Sequence, residues 1–318
     1  MPALASTGLD VHPLCLGGNV FGWTADEDAS FAVLDRYVAA GGTFVDTADV
    51  YSSWVPDHPG GESEAVLGRW LAARGGREDL VIATKVGMHF KADLANLRPE
   101  SILRACDASL ERLGVETIDL YYQHRDDEDV PLQESLGAFD ELVRAGKIKH
   151  VGLSNFSAAR LREAVAVTQE HGYAPISVLQ PQYNLLDRAG FEGELQDVCV
   201  EHGIAVVPFY GLAMGFLTGK YTRESEAADM GTPRAKGAIK TYGGQERSWA
   251  TLDALRAVAA EHGTSVSAVA LAWLRARDAV VAPIASARTV EQLEELLPMA
   301  ELQLRDEDLA ALDAASAG

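Results

Sequence analysis

Short apolar runs alternate along the chain with longer stretches whose apolar residues recur at helical spacing. The runs cover residues 13–16, 43–45, 80–84, 118–122, 148–153, 176–179, 204–207 and 279–282. Each is apolar through most of its length, as expected of strands buried on both faces of a parallel sheet. Between them lie helix signals. Thr24-x-x-Glu27 reads as a capping box ahead of Phe31, Leu34, Tyr37 and Val38, and Thr289-x-x-Gln292 as another ahead of Leu293, Leu296 and Leu297. Pro99 opens and Gly114 closes one helical stretch, Pro131 precedes the next, and Ser157 caps a third. A helical pair breaks at Gly263, and residues 307–315 form a terminal helix. The N-terminal segment is read as a small hairpin. Residues 222–245 carry Gly, Lys and Arg without an apolar period and are predicted to be a mobile loop.

These elements make eight β-then-α units with no break in composition. Repeated right-handed βα units with apolar strands close most simply into a parallel (β/α)8 (TIM) barrel, here a single α/β domain over residues 1–318. An open doubly wound sheet is the competitor, but no GxGxxG follows an early strand. In a barrel, polar residues at the C-terminal strand ends converge on one mouth. Asp46, Lys85, His124, Asn155, Gln180, Phe209 and Ser286 hold those positions, and Tyr51 follows Asp46 by five residues. Positions 46, 85 and 124 recur at intervals of 39, one acid, one amine and one imidazole per repeating unit.

Taken singly, these residues have ordinary explanations. Asp46 suits a turn, Lys85 a solvated surface, Tyr51 packing, and His124 a satisfied core position or a metal ligand. A metal site needs a second His or a carboxylate cluster at the strand ends, and none is evident. Converged on one mouth, they describe a chemistry. A phenol of pKa about 10 is a poor acid near neutrality, and an adjacent ammonium is expected to lower that value. Asp46 keeps the lysine charged, and the histidine orients a substrate oxygen. Protonation of an oxygen that is gaining negative charge follows, as in carbonyl reduction by hydride.

Composition narrows the partners. The chain has 318 residues, 47% of them hydrophobic, with a mean hydropathy near zero and no run of membrane-spanning length. Residues 1–6 lack a basic-then-apolar leader, so a cytoplasmic location is expected. A net charge of −20 argues against nucleic acid, and any anionic ligand needs a local basic or amide-rich pocket. Cys15, Cys106 and Cys199 show neither disulfide nor metal spacing.

The chain resembles the aldo-keto reductase superfamily over nearly its whole length. The resemblance is carried by Phe44-Val-Asp-Thr-Ala48 with Tyr51, Ala83-Thr-Lys85, Tyr121-Tyr-Gln-His124 and Gly152-Leu-Ser-Asn-Phe156. It continues through Gln180-Pro-Gln-Tyr-Asn184, Gly215-Phe-Leu-Thr-Gly-Lys220 and Ala287-Arg-Thr-Val-Glu-Gln292. It implies that Tyr51 is the general acid, that Lys85 and Asp46 tune it, and that His124 orients the carbonyl of a small aldehyde or ketone. It further implies that Ser154, Asn155 and Gln180 hold a nicotinamide carboxamide, that Phe209 stacks on the ring, and that Asn19 and Val20 border it. Tyr210, Gly211, Leu212, Met214, Gly215 and Lys220 match the pyrophosphate segment. Ser286, Arg288, Gln292 and Glu295 match the adenosine end, where Arg288 and a helix N-terminus favour NADPH over NADH.

The family often has Tyr-Ser-Pro-Leu where this chain has Phe209-Tyr-Gly-Leu212, Asn at Leu296, and Trp-Pro after the histidine where Arg125-Asp-Asp127 stands. Substrate discrimination is therefore assigned to Trp23, Trp54, Met88, Phe90 and Asp126. The alternative activity is a nicotinamide-binding regulatory subunit with little turnover.

Overall fold

The computed structural model describes residues 1–77, 79–89, 95–225 and 230–317. The order of elements is β1 (Cys15–Gly17), α1 (Glu27–Ala39), β2 (Phe44–Asp46), α2 (Glu62–Arg74), β3 (Val81–Val86), α3 (Pro99–Leu113), β4 (Ile118–Gln123) and α4 (Leu132–Arg144). There follow β5 (Ile148–Ser154), α5 (Ala158–His171), β6 (Ile176–Gln180), α6 (Glu194–His202), β7 (Ala205–Val206) and α7 (Pro233–Tyr242). The chain ends in α8 (Glu246–His262), α9 (Val266–Arg275), β8 (Ile284–Ala285), α10 (Val290–Glu294) and α11 (Asp306–Ser316).

All strand pairs are parallel, in the order β8-β1-β2-β3-β4-β5-β6-β7. A parallel bridge between Val206 and Val280, with Ile284 N donating to Pro208 O at 2.9 Å, joins the two ends into a (β/α)8 barrel. Because strand side chains alternate faces, each strand feeds two cores. Phe44, Val81, Ala83, Leu120, Tyr122 and Val178 pack inside the barrel. Val45, Ile82, Tyr121 and Leu179 pack outward against the helices. Leu4 and Val11, either side of an antiparallel Ala3–Asp10 bridge, join the inner cluster.

The structure departs from the sequence reading locally. The first helix is capped by Asp26, whose carboxylate accepts from Ala29 N at 2.9 Å, and not by Thr24. Thr289 caps α10 as expected, but the Gln292 side chain accepts from Arg288 N and not from Thr289 N. Pro298 follows closely, so Leu297 belongs to a short 310 turn beyond α10. The last strand lies at Ile284–Ala285, after Pro283, with residue 280 left as an isolated bridge. Residues 222–245 are not wholly irregular, because α7 runs through them. Thr232 caps it by accepting from Ala235 N, Pro233 opens it, and Ala238, Ile239 and Tyr242 are buried on one face. Residues 226–229 of that predicted loop lie outside the described residues. Among the described residues no helix is long and apolar enough to cross a membrane.

The helix layer is tight where α2 meets the end of α3 at Gly68. A methyl group at Gly68 would sit 2.1 Å from the Arg112 carbonyl oxygen, a backbone atom with little room to move. Helix propensity alone favours Ala over Gly by up to about 1 kcal/mol, whereas overpacking costs about 1–3 kcal/mol. Gly68→Ala is therefore expected to lower the urea midpoint by the equivalent of about 1 kcal/mol or more. A neutral or stabilising result would mean that α2 and α3 sit farther apart.

Candidate active site

Strand parity builds the site. Asp46, Lys85, His124 and Gln180 each lie two residues beyond an inward apolar residue, namely Phe44, Ala83, Tyr122 and Val178. Each therefore continues the inner face just where the barrel opens. The same count takes Cys15 to Gly17, Val207 to Phe209 and Ile284 to Ser286.

Lys85 is 0% exposed and Asp46 1%, so neither charge is solvated and each needs the other. The Lys85 ammonium donates to Asp46 Oδ2 at 2.6 Å, to the Thr47 carbonyl at 2.8 Å and to the Tyr51 hydroxyl at 2.9 Å, which uses all three protons. Gln180 donates to Asp46 Oδ1 at 2.9 Å. The Tyr51 hydroxyl donates to Asp46 Oδ2 at the longer distance of 3.3 Å. Tyr51 thus has its oxygen held by Lys85 and its proton weakly held.

The expectation that Lys85 lowers the Tyr51 pKa is not met. Burial first, then the negative charge of Asp46, push the phenol well above its ordinary value. Burial and the Asp46 carboxylate, which also accepts the phenol's proton, outweigh the Lys85 ammonium at the phenol oxygen. Tyr51 keeps its proton at working pH. His124 goes the other way. Burial, then the charges of Lys85 and Arg125, hold its imidazole well below the ordinary value, so it is neutral. Its ring centroid lies 6.2 Å from that of Tyr51, and its backbone N–H is fixed to the Val86 carbonyl at 2.8 Å.

Asp46, Tyr51 and His124 line a cavity of about 820 Å³. Its walls also carry Asn19, Val20, Ser154, Asn155, Gln180, Phe209, Tyr210, Gly211, Leu212, Met214, Gly215, Lys220, Ser286, Arg288, Gln292 and Glu295, all nominated from the sequence. Ser154 donates to the Gln180 carbonyl at 2.8 Å, Asn155 to the His124 carbonyl at 2.9 Å, and Ser286 to Asn19 at 2.5 Å. Trp23, Trp54 and Met88 reach the wall as well. Asp126 is not among the wall residues, because Arg160 holds it with bonds of 2.7 and 2.8 Å. Phe90 lies outside the described residues.

The backbone is strained around the cavity. Asn155, Tyr210, Ala213 and Met214 have φ of 58°, 55°, 47° and 57°, left-handed values that side chains other than glycine rarely adopt. Gly215 continues this left-handed turn at 91°, where glycine carries no penalty.

Sequence reasoning missed Arg234, Thr232, Thr218 and Tyr221, which also line the cavity. Thr232-Pro233 is a helix-start signature, and residues 235, 238, 239 and 242 have helical spacing. Together they were the available signal for α7, which carries Arg234. Lys220, Arg234 and Arg288 form no ion pair with a described carboxylate, and they act on one another. Burial, then Arg288 and Arg234, lower the Lys220 ammonium. A cluster of unpaired cations in a particle of charge −20 suits a polyanionic ligand.

A family model described as the aldo/keto reductase family matches residues 13–317. The chain is 34% identical over 317 residues to the uncharacterized oxidoreductase YrpG of Bacillus subtilis, covering 98% of this chain and 94% of the relative. It is 33% identical over 296 residues to the aldo-keto reductase str7 of Strobilurus tenacellus, covering 92% and 82%. It is 31% identical over 298 residues to the aldo-keto reductase yakc of Schizosaccharomyces pombe, whose name specifies NADP(+), covering 92% and 84%.

Lys85→Met leaves a buried carboxylate without its cation and is expected to cost about 3–5 kcal/mol in urea denaturation. Combining it with Asp46→Asn should cost less than the sum of the single changes, by about 2 kcal/mol or more. Strict additivity would show that the pair is not coupled.

Proposed function

Because the chain belongs to the aldo/keto reductase family, an oxidoreductase family acting on carbonyl compounds, we propose that it is an NADPH-dependent reductase of small aldehydes or ketones in which Tyr51 donates the proton. The observation that carries this reading is the 2.9 Å bond from Lys85 to a phenol that opens on the same cavity as a neutral histidine. The reading treats residues 1–318 as one barrel domain with one site.

The residues present suit a phosphorylated dinucleotide. The cavity is large, its lining runs from the β2 loop to α10, and its wall carries amides and hydroxyls at the strand ends together with the cations Lys220, Arg234 and Arg288. Ser154, Asn155, Gln180, Asn19, Val20 and Phe209 would hold the nicotinamide. Tyr210, Gly211, Leu212, Met214, Gly215 and Lys220 would run along the pyrophosphate, and Ser286, Arg288, Gln292 and Glu295 would take the adenosine end. Arg234 joins the phosphate-facing cations. When bound, the nicotinamide supplies the hydride.

The protein's own groups do the rest. His124, neutral and fixed through its backbone, offers a hydrogen bond to the carbonyl oxygen and sets its direction. Tyr51, protonated, gives its proton to the same oxygen as negative charge develops there. Lys85 then faces a phenolate at hydrogen-bond distance and stabilises it, while Asp46 keeps the ammonium in place. The raised resting pKa serves this order of events, because a phenol that ionised early would have no proton to give.

Tyr51→Phe is expected to bind NADPH much as the parent does, followed by tryptophan quenching, while aldehyde turnover falls by about 10²–10⁴-fold. Turnover of an activated aldehyde at the parent rate would remove Tyr51 as the donor. Arg288→Ala should raise the dissociation constant for NADPH by about tenfold and that for NADH by far less, since the 2′-phosphate is the difference between them. An equal effect on both would place Arg288 elsewhere.

A further inference from the structure

The phenol and the ammonium reach the cavity from different strands, so their 2.9 Å contact depends on what holds the two strand ends together. Tyr51 hangs from the end of β2, and Lys85 belongs to β3. The ladder between these strands is short. It registers Phe44 with Val81, Val45 with Ile82 and Asp46 with Ala83, and it stops before Lys85. Two bonds carry on past it, Thr47 N to the Ala83 carbonyl at 2.8 Å and Asp49 N to the Lys85 carbonyl at a long 3.3 Å.

The first turn of α2 spans this gap from the helix side. Its Ser63 and Glu64 are both fully buried. Thr47 donates to the Ser63 hydroxyl at 2.8 Å, and Ser63 donates to the Gly18 carbonyl at 2.7 Å. Thr84, on the outer face of β3 beside Lys85, donates to Glu64 Oε1 at 2.5 Å. One helical turn therefore grips the residue after Asp46, whose carbonyl accepts from the ammonium, and the residue before Lys85.

Glu64 brings its own counter-charge. Arg112, from α3, donates through Nε to Glu64 Oε2 at 2.7 Å. Its side chain lies against Gly61, where a Cβ would sit 2.4 Å from that Nε. Asp49 does not compete for the guanidinium, because burial first, then Glu64, hold its carboxyl well above the usual range. A buried ion pair is poor ground for stability, since apolar residues of similar volume often replace it without loss. Apolar residues cannot, however, supply an acceptor for the buried Thr84 hydroxyl. The charge is explained by position.

We propose that Glu64, held by Arg112, is a positioning residue: with Ser63 it sets the separation of the β2 and β3 ends and so keeps the Lys85 ammonium on the Tyr51 oxygen. The proposal rests on the reductase reading above. Ser63, Glu64 and Arg112 do not line the cavity, so they act through Thr47 and Thr84.

The test follows single-turnover oxidation of bound NADPH by saturating 4-nitrobenzaldehyde. Thr84→Val removes the hydroxyl with little change of shape, and Glu64→Gln removes the charge. Each should slow the step by about tenfold or more, because small displacements that begin far from the chemistry are costly. The dissociation constant for NADPH, read by tryptophan quenching, should stay within about twofold, since no cofactor-facing residue is altered. Combining Glu64→Gln with Arg112→Met separates position from stability. With both charges gone the urea midpoint should return toward the parent value, while the single-turnover rate stays low. A rate that recovers with the midpoint, parent rates in both single variants, or a tenfold loss of NADPH affinity in Thr84→Val would overturn the inference and leave the reductase reading standing. Absence of turnover by the parent with either NADPH or NADH would remove that reading, and this inference with it.

Discussion

A charge placed inside a barrel must bring its counter-charge along, and the Asp46–Lys85 pair is that requirement made structural. Neither side chain is solvated, and each is held by further bonds, Asp46 by Gln180 and Lys85 by the Thr47 carbonyl. These fix the ammonium where its third proton meets the Tyr51 oxygen. Two strands supply the pair, a third supplies His124, and a fourth supplies Gln180, so the site exists only when the barrel is assembled. The pair also sets the resting state of the phenol. With the ammonium paired to Asp46, burial and the carboxylate decide the outcome, and the proton stays on Tyr51.

Much of this was legible beforehand. Strands buried on both faces leave continuous apolar runs, and the period-2 alternation sends the second residue past the last inner side chain into the mouth. That count places Asp46, Lys85, His124 and Gln180 without coordinates. Helix boundaries followed where capping chemistry was unambiguous, as at Ser157 and Gly114. What escaped depended on competition between nearby signals. Asp26 outcompeted Thr24 as a cap two residues away, and the Gly- and Lys-rich surroundings of α7 hid an apolar face of only a few residues, Ala238, Ile239 and Tyr242 among them. Missing α7 meant missing Arg234. The sign of the Tyr51 shift was out of reach for another reason: burial and Asp46 push it one way and Lys85 the other, and only distances decide it.

Charge is divided sharply in this molecule. The particle as a whole is acidic, yet Lys220, Arg234 and Arg288 line the cavity with no ion-pair partner among the described residues. Beyond a screening length of about 8 Å an approaching anion meets mostly the acidic exterior, and only inside the cavity do the three cations dominate. A polyanionic ligand would therefore be favoured by contact inside the cavity and not by long-range attraction.

The barrel is not equally well sewn all the way round. β4 and β5 pair over five registered positions, whereas β7 and β8 are two residues each, and their junction rests on an isolated bridge and a few backbone bonds. Two segments that line the cavity hang from either side of that thin seam, residues 210–220 after β7 and residues 286–295 after β8. A ligand spanning them acts as a cross-stitch, so ring closure and ligand affinity share one free energy, and tightening either tightens the other.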